Sequence, residues 1–399
     1  MGAPLLSQLG LDPFRPRAPW WGPDLQTLRD TLHPLALPPE RGEPVLINLP
    51  GPAASGDPGA AASASSGVSA GAPQLLALLD PPLAATPDGA VASPGPPRAL
   101  VVLLHGLGGG SEGLGVRRQG LALQRQGFAV LRLNLRGAGR GRPLAPGTYA
   151  AACSRDIGPV LRRARELAGG RPLFGAGLSL GGTILLNACL DGGASPPLDG
   201  LVCVSSPLDL ERCAWQIERP RNGLYQRWLL GRLRVQTLAD PFGITAAERQ
   251  ALLGDGLGRV LGCGLGHGVG RGPGGAIRTI RTIRGFDAAI TAPRWGYRSV
   301  DHYYAAASPL HRLLAGPGPD LLPPTLLVHA SDDPWVPAAP ARPLAQAWGD
   351  RALPRVLLSP GGGHNGFHAP GDQPQASWAD RVVVRWLEQL APAEPLRPG

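Results

Sequence analysis

At residues 173–182 the chain reads Leu-Phe-Gly-Ala-Gly-Leu-Ser-Leu-Gly-Gly, and this stretch narrows the possible folds more than any other. An apolar run ends in the tight turn Gly177-Leu178-Ser179-Leu180-Gly181, and a helix-like segment leaves it over 183–190. Strand, turn and helix in that order, with the pattern G-x-S-x-G, present a serine at the tip of a strained bend. Small residues two places either side are needed because the crowded turn has no room for a Cβ. The bend lifts the Ser179 hydroxyl clear of the backbone and turns the Leu180 amide toward the place where an oxyanion would form. With 58 glycines in 399 residues, chance supplies on the order of 0.4 such matches. A glycine-rich loop with a solvated serine is therefore the alternative, and the rest of the chain must decide.

Regular alternation surrounds the turn. Apolar runs at 99–104, 128–135, 172–178, 198–205, 324–330 and 354–358 read as buried strands. Between them, 121–126, 149–168, 182–190, 337–348 and 377–390 carry helical spacing. Strands alternating with helices imply a mostly parallel central sheet with helices on both faces. Between 210 and 310 the alternation stops, and Trp215, Tyr225, Trp228, Trp295, Tyr297, Tyr303 and Tyr304 sit among helix-like segments. An insertion of that length is usually functional, and it reads as a helical cap over the mouth of a site. Residues 1–98 read as an extended arm and low-complexity loop wrapping the core. The core then runs over 99–209 and 311–399, with the cap at 210–310. The glycine-rich stretches at 50–72 and 254–275 read as flexible.

A serine nucleophile needs a base, an acid to orient the base, and donors for the oxyanion. On a turn of this kind the partners follow in the order serine, acid, histidine. His364 lies after the last strand in Gly-Gly-Gly-His-Asn-Gly-Phe and is the candidate base; His368, four residues on, reads as a surface histidine. The acid belongs in Ala330-Ser331-Asp332-Asp333-Pro334, where Asp333 is favoured and Asp332 is its neighbouring alternative, with Asp209 an outside candidate. His105-Gly106-Leu107-Gly108-Gly109-Gly110 follows the first core strand, so the Leu107 amide would join that of Leu180 as the oxyanion donors. His105 itself reads as a loop-packing residue, and Arg136 as a structural one. Asp287 and Asp301 need no more than solvated or capping roles.

Other classes are poorly supported. The chain contains no lysine; its 38 basic residues are arginines and its formal charge is +9. They are scattered, with no basic stripe interleaved with aromatics, so nucleic acid is not an expected partner. No zinc-ligand spacing occurs, the glycine run lacks the pattern of a dinucleotide site, and neither metal nor organic cofactor is expected. Five cysteines (Cys153, Cys189, Cys203, Cys213 and Cys263) with no C-x-x-C pair read as free thiols in a reducing compartment. No secretory signal or run of 18 apolar residues is apparent, so a cytoplasmic chain without a transmembrane segment is expected.

These pieces together resemble the YheT-type branch of the α/β-hydrolases. The resemblance rests on Gly22-Pro23-Asp24-Leu25-Gln26-Thr27, His105-Gly106-Leu107-Gly108-Gly109, Leu133-Asn134-Leu135-Arg136-Gly137, Gly177-Leu178-Ser179-Leu180-Gly181-Gly182, Ser206-Pro207-Leu208-Asp209-Leu210, Phe286-Asp287 with Asp301-His302-Tyr303-Tyr304, Asp332-Asp333-Pro334 and Gly362-Gly363-His364. It implies an α/β-hydrolase fold and a carboxylic-ester hydrolase of lipid metabolism, with Ser179, Asp333 and His364 as its triad. A small-molecule acyl ester or lipid is the implied partner, with short to medium acyl chains preferred and transient contact with a membrane surface allowed. An acyltransferase using the same triad and a catalytically silent binding protein of the same fold are the rival readings. Two features depart from the family pattern: Asp24 stands where a histidine is usual, and the glycine-rich stretches look like insertions.

Overall fold

The computed structural model describes residues 3–50, 72–83, 95–193, 195–253, 280–315, 317–349, 354–372 and 376–391. Its centre is an eight-stranded sheet. The strands are β1 (Glu43–Asn48), β2 (Gln74–Asp80), β3 (Leu100–Leu104), β4 (Ala129–Leu133), β5 (Leu173–Leu178), β6 (Gly200–Val204), β7 (Thr325–Ala330) and β8 (Arg355–Ser359). Their order across the sheet is β1-β2-β4-β3-β5-β6-β7-β8. β1 pairs antiparallel with β2, and β2 with β4; the remaining pairs are parallel.

Side chains alternate across the pleat. Leu100, Val102 and Leu104 enter one core with helices α4 (Ser154–Ala168) and α5 (Leu180–Asp191), whereas Val101 and Leu103 enter the other with α3 (Leu114–Gln124) and α13 (Trp378–Leu390). Because both faces are covered, β3 and β6 are buried along their whole length. This is the physical reason those strands read as unbroken apolar runs. The chain has the α/β-hydrolase fold.

The described residues within 1–98 contribute to the sheet itself. They carry α1 (Ala3–Gln8), α2 (Gly22–Leu32) and the two strands β1 and β2, which extend the sheet past β4. β1 escapes detection because it is an edge strand with a largely exposed pattern, while the stretch at 51–71, read from sequence as loop, lies outside the described residues. The stretch at 254–275 and Cys263 do so as well. Among the described residues Cys153, Cys189, Cys203 and Cys213 are free thiols.

Between β6 and β7 lie α6 (Leu210–Ile217), α7 (Gly223–Leu238), α8 (Ala246–Leu253), α9 (Ile283–Phe286), which widens into a π turn at Asp287–Thr291, and then α10 (Val300–Ala307) and α11 (Leu310–Leu314). Ile217, Leu229, Leu230, Leu233, Ile283 and Phe286 form a small core of their own. After β7, α12 (Ala341–Ala347) leads to β8.

Candidate active site

The catalytic candidates come from the ends of three parallel strands. Ser179 follows β5 directly, with φ 52° and ψ −126°, a region that costs a non-glycine residue about 1–3 kcal/mol. The bend is held by Ser179 N–H donating to the Val204 carbonyl at 2.8 Å and Gly182 N–H donating to the Ser179 carbonyl at 3.0 Å. Glycine is obligatory at Gly177, where a Cβ would lie 2.3 Å from the Gly182 backbone.

His364 comes from the loop after β8 and Asp333 from the loop after β7. The Ser179 Oγ and His364 Nε2 are 3.0 Å apart, and His364 Nδ1 is 2.9 Å from Asp333 Oδ2. A carboxylate only accepts, so Nδ1 carries the proton and the Nε2 lone pair faces the serine O–H. The other carboxylate oxygen of Asp333 accepts from the Trp335 and Val336 amides at 2.8 and 2.9 Å. Asp332 points elsewhere: its Oδ1 accepts from Gly363 N–H at 2.9 Å and so pins the loop that carries the imidazole. Burial, the larger effect, raises the Asp332 carboxyl above its usual range. Asp209, the third candidate acid, instead caps α6 by accepting from Arg212 N–H at 3.0 Å.

The His364 loop is also held by α2. Thr27 Oγ1 accepts from His364 N–H at 2.9 Å, and Gln26 both accepts from His368 N–H at 2.7 Å and donates to the His368 carbonyl at 3.0 Å. The loop and α2 are so close that a Cβ on Gly363, where φ is +57°, would sit 2.4 Å from the Pro23 carbonyl oxygen. Trp335 stacks on the imidazole with ring centroids 4.5 Å apart. Sequence alone does not single out Gln26, Thr27 or Trp335 as site residues; for the first two the signal is the Gly22–Thr27 segment, whose role only the contact reveals. Asp24, in the same segment, accepts from the Tyr225 hydroxyl at 2.8 Å and from Arg221 at 2.7 Å, tying α2 to α7.

On the opposite side of Ser179 lies the His105–Gly108 loop. The His105 Nδ1 donates to the Gly106 carbonyl at 2.8 Å and its Nε2 accepts from Leu135 N–H at 3.2 Å, a neutral tautomer with a purely structural role. Burial pushes this imidazole down to about 4. Gly108 donates its N–H to the Tyr149 hydroxyl at 2.7 Å, and its carbonyl accepts from Arg232 Nε at 2.7 Å. A Cβ on Gly106 would lie 2.9 Å from the Ser179 Cβ, so this backbone runs directly beside the nucleophile. Leu107 and Leu180 line the same cavity as Ser179 and His364. Leu180 is the first residue of α5, and its N–H belongs to the helix-end donors that have no partner within the helix.

The cavity has a volume of about 330 Å³ and is walled mainly by apolar side chains, Leu210, Ile217, Leu229, Phe286 and Val336 among them. Asp287 lines it too, which corrects its reading as solvated: it accepts from the Tyr304 hydroxyl at 2.8 Å, and burial pushes its carboxyl up to about 6. Among the described residues no three His, Cys, Asp or Glu side chains gather as a metal ion would require.

Two further histidines are buried. His368 is not a surface residue; burial, then Arg118 nearby, pushes it down to about 3. His329, at the end of β7, has no hydrogen-bond partner at either ring nitrogen, and burial holds it near 4. A folded-state value below the ordinary 6.5 means the unfolded chain takes up this proton first as pH falls. Stability is therefore lost on going from about 6.5 toward 4. The His329→Leu variant is expected to escape that loss, gaining about 3 kcal/mol on wild type between pH 7 and 4. Urea unfolding of both proteins across that range measures it, and a constant difference would disprove it.

The family model described as alpha/beta hydrolase fold matches residues 99–369. Phospholipase ABHD3 of Mus musculus is 27% identical over 73% of this chain. Medium-chain fatty acid ethyl ester synthase/esterase 2 of Saccharomyces cerevisiae is 28% identical over 73%, and the putative esterase YheT of Escherichia coli 28% over 60%. The chain spans 64%, 62% and 62% of the length of these relatives. Among solved structures, a soluble variant of monoglyceride lipase from Saccharomyces cerevisiae with a substrate analog matches with a TM-score of 0.51 at 14% identity, covering 90% of this chain and 99% of that one.

Proposed function

Because the chain belongs to the α/β-hydrolase family, with relatives of the YheT type, we propose that it is a serine hydrolase of carboxylic esters. The observation that carries this reading is the unbroken line from Ser179 Oγ through His364 to Asp333, at 3.0 and 2.9 Å, opening on an apolar cavity. Ser179 attacks the ester carbonyl while His364 Nε2 takes its proton. Asp333 keeps the imidazole in the reactive tautomer and balances the imidazolium. The Leu107 and Leu180 amides hold the oxyanion, each contributing on the order of 3 kcal/mol to lowering the barrier. The imidazolium then protonates the departing alcohol. Water, activated by the same His364, releases the acid from the acyl-enzyme.

The cavity volume of about 330 Å³ lies at the small end of ligand pockets and suits short to medium acyl chains. Relatives named as medium-chain ester synthase/esterase, phospholipase and monoacylglycerol lipase support an acyl ester or lipid as substrate. The separate small core within residues 210–310 supports our reading of that segment as a cap. The free thiols support a cytoplasmic setting.

A second reading, transfer of the acyl group to an alcohol, draws on the relative named as a synthase. An apolar cavity that admits an alcohol in place of water would serve it, and product analysis with added ethanol separates the two. The primary test is labelling with a fluorophosphonate, alongside a p-nitrophenyl ester series of increasing chain length. Wild type is expected to label and Ser179→Ala not to, with turnover falling beyond medium chains. Persistent labelling of Ser179→Ala would refute the assignment of the nucleophile. Absent labelling of wild type with no turnover would favour the silent binding protein.

A further inference from the structure

Helix α2 is built inside out. Its buried residues are the polar Gln26 and Arg29, while Trp21, Leu25, Leu28 and Leu32 fall at i, i+4, i+7 and i+11, one stripe of a helix. Three of the four face outward: Trp21 and Leu32 are 60% and 59% exposed and Leu25 is exposed as well, with Leu28 half-buried between them. The local reason for the inversion is the site, which draws Gln26 and Thr27 inward to hold the His364 loop.

Helix α7 is apolar on both sides. Leu229, Leu230 and Leu233 fill the cap core. Outward lie Leu224, Arg227, Trp228, Gly231, Arg232 and Val235 at helical spacing, with Leu224 and Val235 73% and 68% exposed. The helix contains three arginines and no acidic residue. The Asp24–Arg221 ion pair, 2.7 Å long, joins α2 to the start of α7 one residue before Leu25 and three before Leu224. This platform borders the cavity: Trp228 is both outward and cavity-lining, and Arg232, over its ring at 5.3 Å, also holds the Gly108 carbonyl.

Exposed apolar stripes are costly in water and mark a surface that meets something apolar. Arginines interspersed with tryptophan and leucine, with no acid on α7, fit an interface that is apolar within and anionic at its margin. We propose that the outward faces of α2 and α7 seat this protein on an anionic lipid bilayer, with the cavity mouth against the lipid. This deepens the acyl-ester reading by naming where the substrate is met, and its test needs no catalysis.

The test is co-sedimentation of the Ser179→Ala protein with vesicles of phosphatidylcholine alone and of phosphatidylcholine mixed with phosphatidylglycerol. Binding is expected to the mixed vesicles, to weaken as salt rises, and to fall on the order of tenfold with added Arg227→Glu. Leu224→Asp combined with Val235→Asp is expected to abolish it. Leu224→Ser with Val235→Ser serves as the milder pair should the aspartates unfold the helix. The same surface substitutions in the Ser179 protein are expected to leave hydrolysis of a soluble short-chain ester unchanged. Equal binding to both vesicle types, or variants that bind like the parent, would overturn the proposal. Salt-insensitive self-association lost in the same variants would overturn it in favour of a second copy of the chain. Loss of ester turnover in wild type with vesicle binding intact would count against the catalytic reading alone.

Discussion

Replacing His364 with alanine is expected to lower kcat on a soluble ester by about five orders of magnitude. Among the described residues the serine hydroxyl has one base within reach, 3.0 Å away, and without it the free alcohol is a poor nucleophile at neutral pH. Neither His105 nor His368 can substitute. His105 spends both ring nitrogens on the Gly106 carbonyl and the Leu135 amide, and His368 is buried beside Asp30. Because the groups act as a unit, Ser179→Ala combined with His364→Ala is expected to cost no more than either change alone. Steady-state kinetics on all three variants decides the matter. A loss of under a hundredfold for His364→Ala, or additive losses in the double variant, would remove His364 from the role of base.

Asp333→Asn is expected to cost about four orders of magnitude in kcat, and Asp332→Asn less than about tenfold. The contrast follows from what each carboxylate accepts. Asp333 must accept from the imidazole while its second oxygen holds two backbone amides. An asparagine there keeps an acceptor toward those amides and so presents its NH₂ to Nδ1, which forces the wrong tautomer and puts the ring proton on Nε2, the nitrogen that should accept from Ser179. Asp332 accepts only a backbone N–H, from Gly363, and an amide oxygen does that equally well. A reversed ranking would transfer the role of acid to Asp332.

What the sequence disclosed was governed by burial. Strands β3, β5, β6 and β7, covered on both faces, announce themselves as apolar runs, and the turn at Ser179 is legible because its strain demands particular glycines. The order serine, acid, histidine follows from that turn. The choice between Asp332 and Asp333 does not, because adjacent carboxylates at a strand end differ only in the direction each points. β1 shows little periodicity because one side of it meets solvent and its sheet partner β2 follows a long intervening stretch. Helix α2 does not show itself in the sequence because most of its apolar stripe turns away from the core, so the usual link between amphipathicity and burial is reversed. His368 and Asp287 looked like surface residues because no local pattern reveals that a distant segment covers them.

The clasp between α2 and the His364 loop carries an implication for the newborn chain. Synthesis delivers α2, then the serine, and the imidazole 185 residues after the serine, so the alcohol has no base beside it in that interval. On the proposed mechanism the serine gains its base when the His364 loop folds back onto α2, and a chain that stalls before that loop carries an unarmed serine.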